Sequence, residues 1–462
     1  MKNSFVYILH LKSIKVNEKL PQKGWKNIMK VALHNLGCKV NTYETDAMRQ
    51  SLMEHGFEIV PFDIGADIYI INTCSVTNIA DRKSRQMLHK AKKMNKDAIV
   101  VATGCYVQTA GEEILKDEAI DIVVGNNKKA KIVEEIEEYI KNREHNKYIE
   151  DISKPTDYEE MNMTTVTEHT RAFIKIQDGC NQFCSYCIIP YARGRIRSRN
   201  LDNIISEVTE LAKNGYKEIV LTGIHLSSYG RDKKDEELHL IDAIKAVAAI
   251  DGVYRVRLGS LEPMIIDDAF MKELKKIKEF CPHFHLSLQS GCDNTLKRMN
   301  RHYSADMYYE RCEIIRKYYE DAAITTDVIV GFPGESEEDF EICRKFLDKV
   351  HFSEMHIFKF SPRKGTVAEK MDNQIDDSIK AERSDVLLEL NDTMNKEYKD
   401  RYIGKTVDIL LEEKAEIGGI EYQVGYTKEY VKIGIISEKD MTSQIVFAKV
   451  IENRGEILLA QL

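Results

Sequence analysis

Three cysteines within one octapeptide, Cys180, Cys184 and Cys187, constrain the fold of this chain more than any other feature. They stand in the run Ile176-Gln177-Asp178-Gly179-Cys180-Asn181-Gln182-Phe183-Cys184-Ser185-Tyr186-Cys187, with C-x3-C-x2-C spacing. That spacing reads as an iron-sulfur site. Three thiolates on a cubane cluster leave one iron without a protein ligand, and an open position on a metal is where a substrate binds. Ordinary core cysteines or zinc are the alternatives, but zinc asks for a fourth Cys or His at short spacing, and none stands nearby.

A chain of 462 residues has room for two or three domains, and its hydrophobic content of 43% supplies their cores. No run approaches the ~20 apolar residues of a membrane span. The apolar stretch Phe5 to Leu11 is short and lacks a small-residue cleavage site, so a secretion signal is not expected. The ten cysteines then read as metal ligands or buried thiols of a cytoplasmic protein with no membrane partner. A net charge of -8 argues against a general nucleic-acid coat and leaves room for local basic patches.

Residues 1–28 differ in character from the rest of the chain and are expected to be an extension that need not be native, with Met29 a plausible start. Residues 29–142 alternate short apolar runs with amphipathic stretches, the pattern of an open parallel α/β domain. Three of its predicted strands end alike: Val31-Ala32-Leu33 leads to Gly37-Cys38, Ile68 to Ile71 leads to Thr73-Cys74, and Ile99 to Ala102 leads to Gly104-Cys105. Each cysteine thus falls past the carboxyl end of a strand, the rim where such sheets gather ligands. Taken singly each is a small core residue; the threefold repetition reads as a second three-thiolate site.

Residues 143–170 read as a polar linker. Residues 171–400 carry six predicted strands, Phe173–Ile176, Glu218–Leu221, Arg255–Leu258, Phe284–Leu288, Asp327–Val330 and His356–Phe360, too few for an eight-unit barrel. A partial (β/α)6 barrel is expected, with its site on the carboxyl-terminal rim. Residues 401–462 break into short alternating runs and read as a small all-β barrel.

Taken together, these three parts resemble the methylthiotransferase family of radical S-adenosylmethionine (SAM) enzymes, over about Met29 to Leu462. The resemblance implies one four-iron-four-sulfur cluster on Cys38, Cys74 and Cys105, a second on Cys180, Cys184 and Cys187, and a terminal barrel like the RNA-binding TRAM domain. The motifs Gly37-Cys38-Lys39-Val40-Asn41, Leu221-Thr222-Gly223-Ile224-His225 and Leu286-Ser287-Leu288-Gln289-Ser290-Gly291-Cys292 look like the branch acting on N6-threonylcarbamoyladenosine in tRNA. The isopentenyladenosine branch usually carries Gln-Met-Asn after the first cysteine, and the branch modifying a ribosomal-protein aspartate carries Pro-Lys-Asn.

The implied reaction replaces the C2-H of an adenine, which has neither an acidic proton nor a leaving group, so a radical is needed. SAM serves as radical source and as methyl donor, and the protein orients and shields. The implied partners are a tRNA anticodon stem-loop, an electron donor such as flavodoxin or ferredoxin, and a sulfur donor. SAM contacts are expected at Tyr186, Gly223, His225, Ser260, Glu262 and Gln289, with Tyr186 equally readable as packing and His225 as structural. Arg193, Arg195, Arg197 and Arg199 are expected to hold SAM's carboxylate or RNA phosphates, since guanidinium forks suit both. Lys297, Arg298 and Arg301 are weaker candidates. Cobalamin-dependent radical SAM methyltransferases share the outline, but this sequence lacks their Asp-x-His-x-x-Gly loop.

Overall fold

In a computed structural model, residues 28–143, 146–154, 156–165, 170–233, 235 and 237–462 are described, so the expectation for residues 1–28 lies almost wholly outside the described residues. Strands β1 (Lys30–Asn35), β2 (Glu58–Ile59), β3 (Ile68–Thr73), β4 (Ile99–Gly104), β5 (Ile122–Val124) and β6 (Asn146–Tyr148) form a parallel sheet in the order β2-β1-β3-β4-β5-β6. Every position of β3 and β4 is buried, as helices on both faces require. The period of two divides them cleanly. Val31, Ile68, Ile70, Ile99 and Val101 meet Tyr43, Met48 and Leu52 of helix α1 (Lys39–Glu54). Ala32, Tyr69, Ile71, Val100 and Ala102 meet Leu88 and Ala91 of helix α2 (Asn78–Met94). Each such aliphatic side chain contributes about 1.5–3 kcal/mol by leaving water.

The stretch expected to be a linker is partly structural, because β6 adds a sixth strand beside β5. Its polar sequence gives no strand signal, and backbone pairing at a sheet edge supplies one. Met161 and Met163, further along, are buried in the main core.

The second body has strands β7 (Ala172–Asp178), β8 (Arg197–Ser198), β9 (Glu218–Gly223) and β10 (Arg255–Leu258) in the order β10-β9-β7-β8, then β11 (His283–His285), β12 (Ala323–Val330) and β13 (Glu354–Lys359). Single bridges, Val256 to Phe280 and Leu261 to Leu286, join the two sheets. Six parallel strands therefore make the expected open partial barrel, with β8 antiparallel at one edge. Outward residues such as Ile174, Leu221, Val256, Phe284 and Val328 enter the core under the helices. The alternate positions are polar, including Lys175, Gln177 and Arg257, which are buried, and His285 and Asp327, which line a cavity in the lumen.

The 24-residue helix Asp377–Asp400 leads to a closed barrel of β14 (Thr406–Ile417), β15 (Ile420–Tyr426), β16 (Lys432–Ile435), β17 (Ile445–Asn453) and β18 (Leu458–Gln461). Its core is Ile409, Leu411, Ile433, Val450 and Leu458. The all-β reading holds. β15 has the weakest apolar signal of the five, diluted by Glu421, Gln423 and Gly425. Arg255 donates to the Tyr426 carbonyl at 2.8 Å and to Asp408 Oδ2 at 3.0 Å, and Arg257 donates to the Lys428 carbonyl at 2.9 Å, while both guanidinia rest on buried Glu218. Among the described residues no helix is long and apolar enough to cross a membrane.

Candidate metal and substrate centre

Strands β1, β3 and β4 are neighbours in the first sheet, so the cysteines that come after them meet at one rim. Cys38 caps α1, Cys74 follows β3, and Cys105 opens helix α3 (Cys105–Ala110). The three thiols lie within electrostatic reach of one another. Close approach is what the preceding glycines provide. A Cβ on Gly37 would stand 3.1 Å from Cys74 Sγ, and one on Gly104 would stand 2.4 Å from the Thr73 carbonyl oxygen, with φ of +119° and +100°. Asn41 Nδ2 ties the two loops by donating to Leu36 and Thr73 carbonyls at 2.7 and 3.0 Å.

The second triad sits on the loop after β7. Gly179 has φ of +73°, and a Cβ there would fall 1.8 Å from the Arg195 carbonyl oxygen, so the turn into Cys180 admits only glycine. The loop is held from outside: Cys180 N–H donates to the Gly194 carbonyl at 3.0 Å, Ser185 Oγ to the Arg298 carbonyl at 2.8 Å, and Asn300 Nδ2 to the Phe183 carbonyl at 3.1 Å. Arg301 Nη1 donates to Cys184 Sγ at 3.3 Å.

Burial raises the free thiols, Cys74 and Cys180 to about 11 and Cys187 to about 12. Binding a metal as thiolate therefore releases protons and offsets that burial. Each triad offers three soft donors in a caged loop, and the other four cysteines, Cys281, Cys292, Cys312 and Cys343, are all buried. Cys292 donates to Asp339 Oδ1 at 3.2 Å, so its role is packing. The donor sets fit two clusters that each leave an iron open.

A buried ionic knot joins the two triads. Glu44 of α1 accepts from Lys129, from Lys175 Nζ at 3.0 Å and from Arg193 Nη1 at 2.6 Å, and none of these side chains is exposed by more than 1%. Arg193 also donates through Nε to Cys105 Sγ at 3.4 Å, through Nη2 to Asn41 Oδ1 at 2.6 Å and through Nη1 to Asp178 Oδ2 at 3.2 Å. Burial acts to raise the Asp178 carboxyl, but Arg193, then Lys175 and Arg197, hold it down at about 2.

This overturns the RNA reading of three arginines. Arg193, Arg197 and Arg199 are buried. Arg197 lies 3.5 Å from Asp178 Oδ2, and Arg199 pairs with Glu207 and, at 2.9 Å, with Glu160. Their alternation places them inward, where carboxylates distant in sequence meet them. Arg195 alone is exposed, its guanidinium 4.6 Å from the centroid of the Phe183 ring.

The SAM candidates divide by what they already touch. The Tyr186 ring packs with Met299, Phe332 and Phe360, so the side chain is a wall. Gly223 abuts Gln177, and a Cβ would stand 2.9 Å from its Oε1. That Oε1 accepts from the His225 N–H at 2.7 Å, while His225 Nε2 meets Gln182 Nε2 at 3.3 Å beside the cysteine loop. Burial, then Arg231 and Arg301, lower His225 to about 4, so the ring is neutral. Glu262 caps its own turn by accepting from the Met264 N–H at 2.9 Å, and burial raises its carboxyl. Gln289 holds φ at +74°, a strained conformation fixed by pairing with Asp327 and Ile329. Ser260 is exposed in the lumen.

Two cavities open from this lumen and share Asp327. One, about 960 Å³, is lined by Val76, Tyr186, Gln289, Ile329, Phe358 and Arg363. The other, about 490 Å³, is lined by Lys39, Ser260, His285 and His356 on its inner side and by Tyr426, Tyr430 and Lys432 of the terminal barrel on its outer side. His285 Nε2 lies 3.3 Å from Asp327 Oδ2, and its Nδ1 lies 2.9 Å from Thr325 Oγ1. Sequence reasoning missed Glu44 and Lys175 and the buried knot they form. The available signal was charge inside otherwise apolar elements, such as Lys175 within Phe-Ile-Lys-Ile.

An open six-strand barrel with a three-cysteine loop after its first strand defines a radical SAM enzyme, and the radical SAM superfamily model matches residues 174–347. Uncharacterized protein family UPF0004 matches residues 30–125. The chain is 41% identical to the threonylcarbamoyladenosine tRNA methylthiotransferase MtaB of Bacillus subtilis, over 91% of this chain and 94% of that one. It is 36% identical to the MtaB of Thermotoga maritima, over 92% and 96%. A tRNA-2-methylthio-N(6)-dimethylallyladenosine synthase of Methylacidiphilum infernorum is 32% identical over 92% and 93%. The chain belongs to the radical SAM methylthiotransferase family of which MtaB is a member. The methyltransferase TsrM of Kitasatospora setae shares the fold, with a TM-score of 0.55 at 15% identity over 72% of this chain and 75% of that one.

Proposed function

We propose that this chain adds a methylthio group to C2 of N6-threonylcarbamoyladenosine next to the anticodon of tRNA. The observation that carries the reading is the pair of three-thiol loops joined through one buried guanidinium, Arg193. Cys38, Cys74 and Cys105 would hold one four-iron cluster and Cys180, Cys184 and Cys187 the other. When bound, these clusters and SAM supply the one-electron chemistry, the sulfur and the methyl group. The protein's own share is placement. Gly37, Gly104 and Gly179 let each loop close, Arg301 and Arg193 direct positive charge at thiolate sulfurs, and the Glu44 knot fixes the two rims against each other.

Backbone at Tyr186 and the rim residues Gly223, His225, Ser260, Glu262 and Gln289 remain our assignment for SAM, with the Tyr186 ring as wall. The terminal barrel would hold the RNA, with Phe447, 71% exposed on β17, available for base stacking and Arg195 for phosphate. The electron donor, such as flavodoxin or ferredoxin, and the sulfur donor act in trans, and the tRNA substrate puts the enzyme in the cytoplasm.

The test is mass spectrometry of nucleosides after anaerobic incubation of reconstituted enzyme with SAM, reductant, sulfide and tRNA. A methylthio product from threonylcarbamoyladenosine alone is expected. Product only from isopentenyladenosine would overturn the substrate. No nucleoside product, with SAM still cleaved, would move the target to the ribosomal-protein aspartate.

A further inference from the structure

We propose that Lys39 and the lumen cavity beside it bind the carboxylate-bearing substituent on N6 of the target adenosine, an inference that rests on the proposed substrate. In a purine, C2 and C6 both flank N1, so a group carried on N6 lies close to the carbon that receives sulfur. Whatever reads that group must stand beside the sulfur-delivering cluster. Lys39 follows Cys38 directly and lines the cavity of about 490 Å³.

Its side chain is exposed in that cavity and, among the described residues, has no hydrogen bond or ion pair. Neighbouring cations are committed elsewhere: Arg257 to Glu218, Lys432 to Glu456 and Lys399 to the Gly455 carbonyl. A cation without a partner beside a cavity is a site for an anion, and a carboxylate is the anion this substituent carries. The rest of the wall matches the substituent's other polar groups. Ser260 and His356 offer exposed polar atoms, and Asp327, 30% exposed, can accept from a hydroxyl or a urea N–H while His285 braces its Oδ2 at 3.3 Å. An apolar N6 group would leave all of these unpaired, which is how a polar site rejects it.

The test compares anticodon stem-loop RNAs carrying threonylcarbamoyladenosine as the free acid or as its methyl ester. Reconstituted wild type, Lys39→Met and Lys39→Arg are used, each with iron and sulfide counted. Dissociation constants and kcat/KM for methylthio product are both read. Wild type is expected to favour the acid about tenfold. Lys39→Met is expected to lose that preference by losing affinity for the acid alone, and Lys39→Arg to keep part of it. A Lys39→Met enzyme with full iron that keeps the acid-to-ester ratio, or weakens both RNAs equally, overturns the proposal. If turnover is abolished, the ratio of dissociation constants decides alone. Failure of the substrate reading looks different: wild type would then leave both threonylcarbamoyl RNAs unmodified and act on an isopentenyladenosine stem-loop.

Discussion

Arg193 Nε lies 3.4 Å from Cys105 Sγ, although the arginine belongs to the second body and the cysteine opens α3 of the first. The same guanidinium is half of the buried pair with Glu44. Removing one partner of a buried pair leaves an uncompensated charge and costs about 3–5 kcal/mol. Arg193→Met is therefore expected to lower the unfolding midpoint and, with it, iron retention at the amino-terminal site. Unchanged urea unfolding together with full iron content would contradict the bridging role.

Separating the triads separates the chemistry. Replacing Cys38, Cys74 and Cys105 by alanine is expected to leave about four irons per chain and SAM cleavage to 5'-deoxyadenosine, with no methylthio product. Replacing Cys180, Cys184 and Cys187 is expected to abolish SAM cleavage. Iron assay and chromatography of the nucleosides distinguish these outcomes from loss of folding, which would empty both sites.

Gly104 and Gly65 have nearly the same φ, +100° and +104°, but only Gly104 has backbone within 3 Å of a built Cβ. Gly65→Ala is expected to cost about 1–2 kcal/mol for the left-handed conformation alone. Gly104→Ala adds a clash with Thr73 and is expected to cost at least about 2 kcal/mol more. Equal shifts in melting temperature would show that the loop yields freely.

Arg301 donates to Cys184 Sγ at 3.3 Å, so it stabilises the more negative, reduced state of a cluster held there. Arg301→Met is expected to lower that cluster's midpoint potential by roughly tens of millivolts and to slow SAM cleavage. Potentiometry followed by electron paramagnetic resonance reads the shift, and an unmoved potential would rule the contact out as a tuning element.

His225 supplies a pH signature. Its folded-state value is about 4, below the ordinary value near 6.5, because burial and then Arg231 and Arg301 oppose the charged ring. As pH falls from about 6.5 toward 4, the unfolded chain takes up a proton that the native ring refuses, so stability is lost across that window. At pH 5 the loss is at most about 2 kcal/mol. His225→Gln should show a smaller drop in urea midpoint than wild type between pH 7.5 and pH 5, and equal drops would disprove the assignment.

Much of the fold and of both thiol sites is legible in the chain. Cysteines placed just past apolar strands identify a rim because strand direction in a parallel sheet is fixed by the crossovers, and the count of six apolar runs sizes the barrel. The arginine stripe misleads because partners decide which way a charge points. Glu44, Asp178 and Glu207, which bury Arg193, Arg197 and Arg199, are distant in sequence or carry no local sign of the pairing. Lys39 stands out in sequence only as part of a motif, and its position over a cavity depends on how α1 docks on β7.

The clamp of Arg255 and Arg257 on the terminal barrel sets a distance. Both guanidinia grip backbone carbonyls of β15 and the turn after it while resting on Glu218, so the last barrel cannot rock without stripping charged donors of their acceptors. If RNA is held on that barrel, as proposed, it would be measured against a fixed ruler. The nucleotide reaching the lumen would then be selected by its offset along the strand before any atom of its base is recognised.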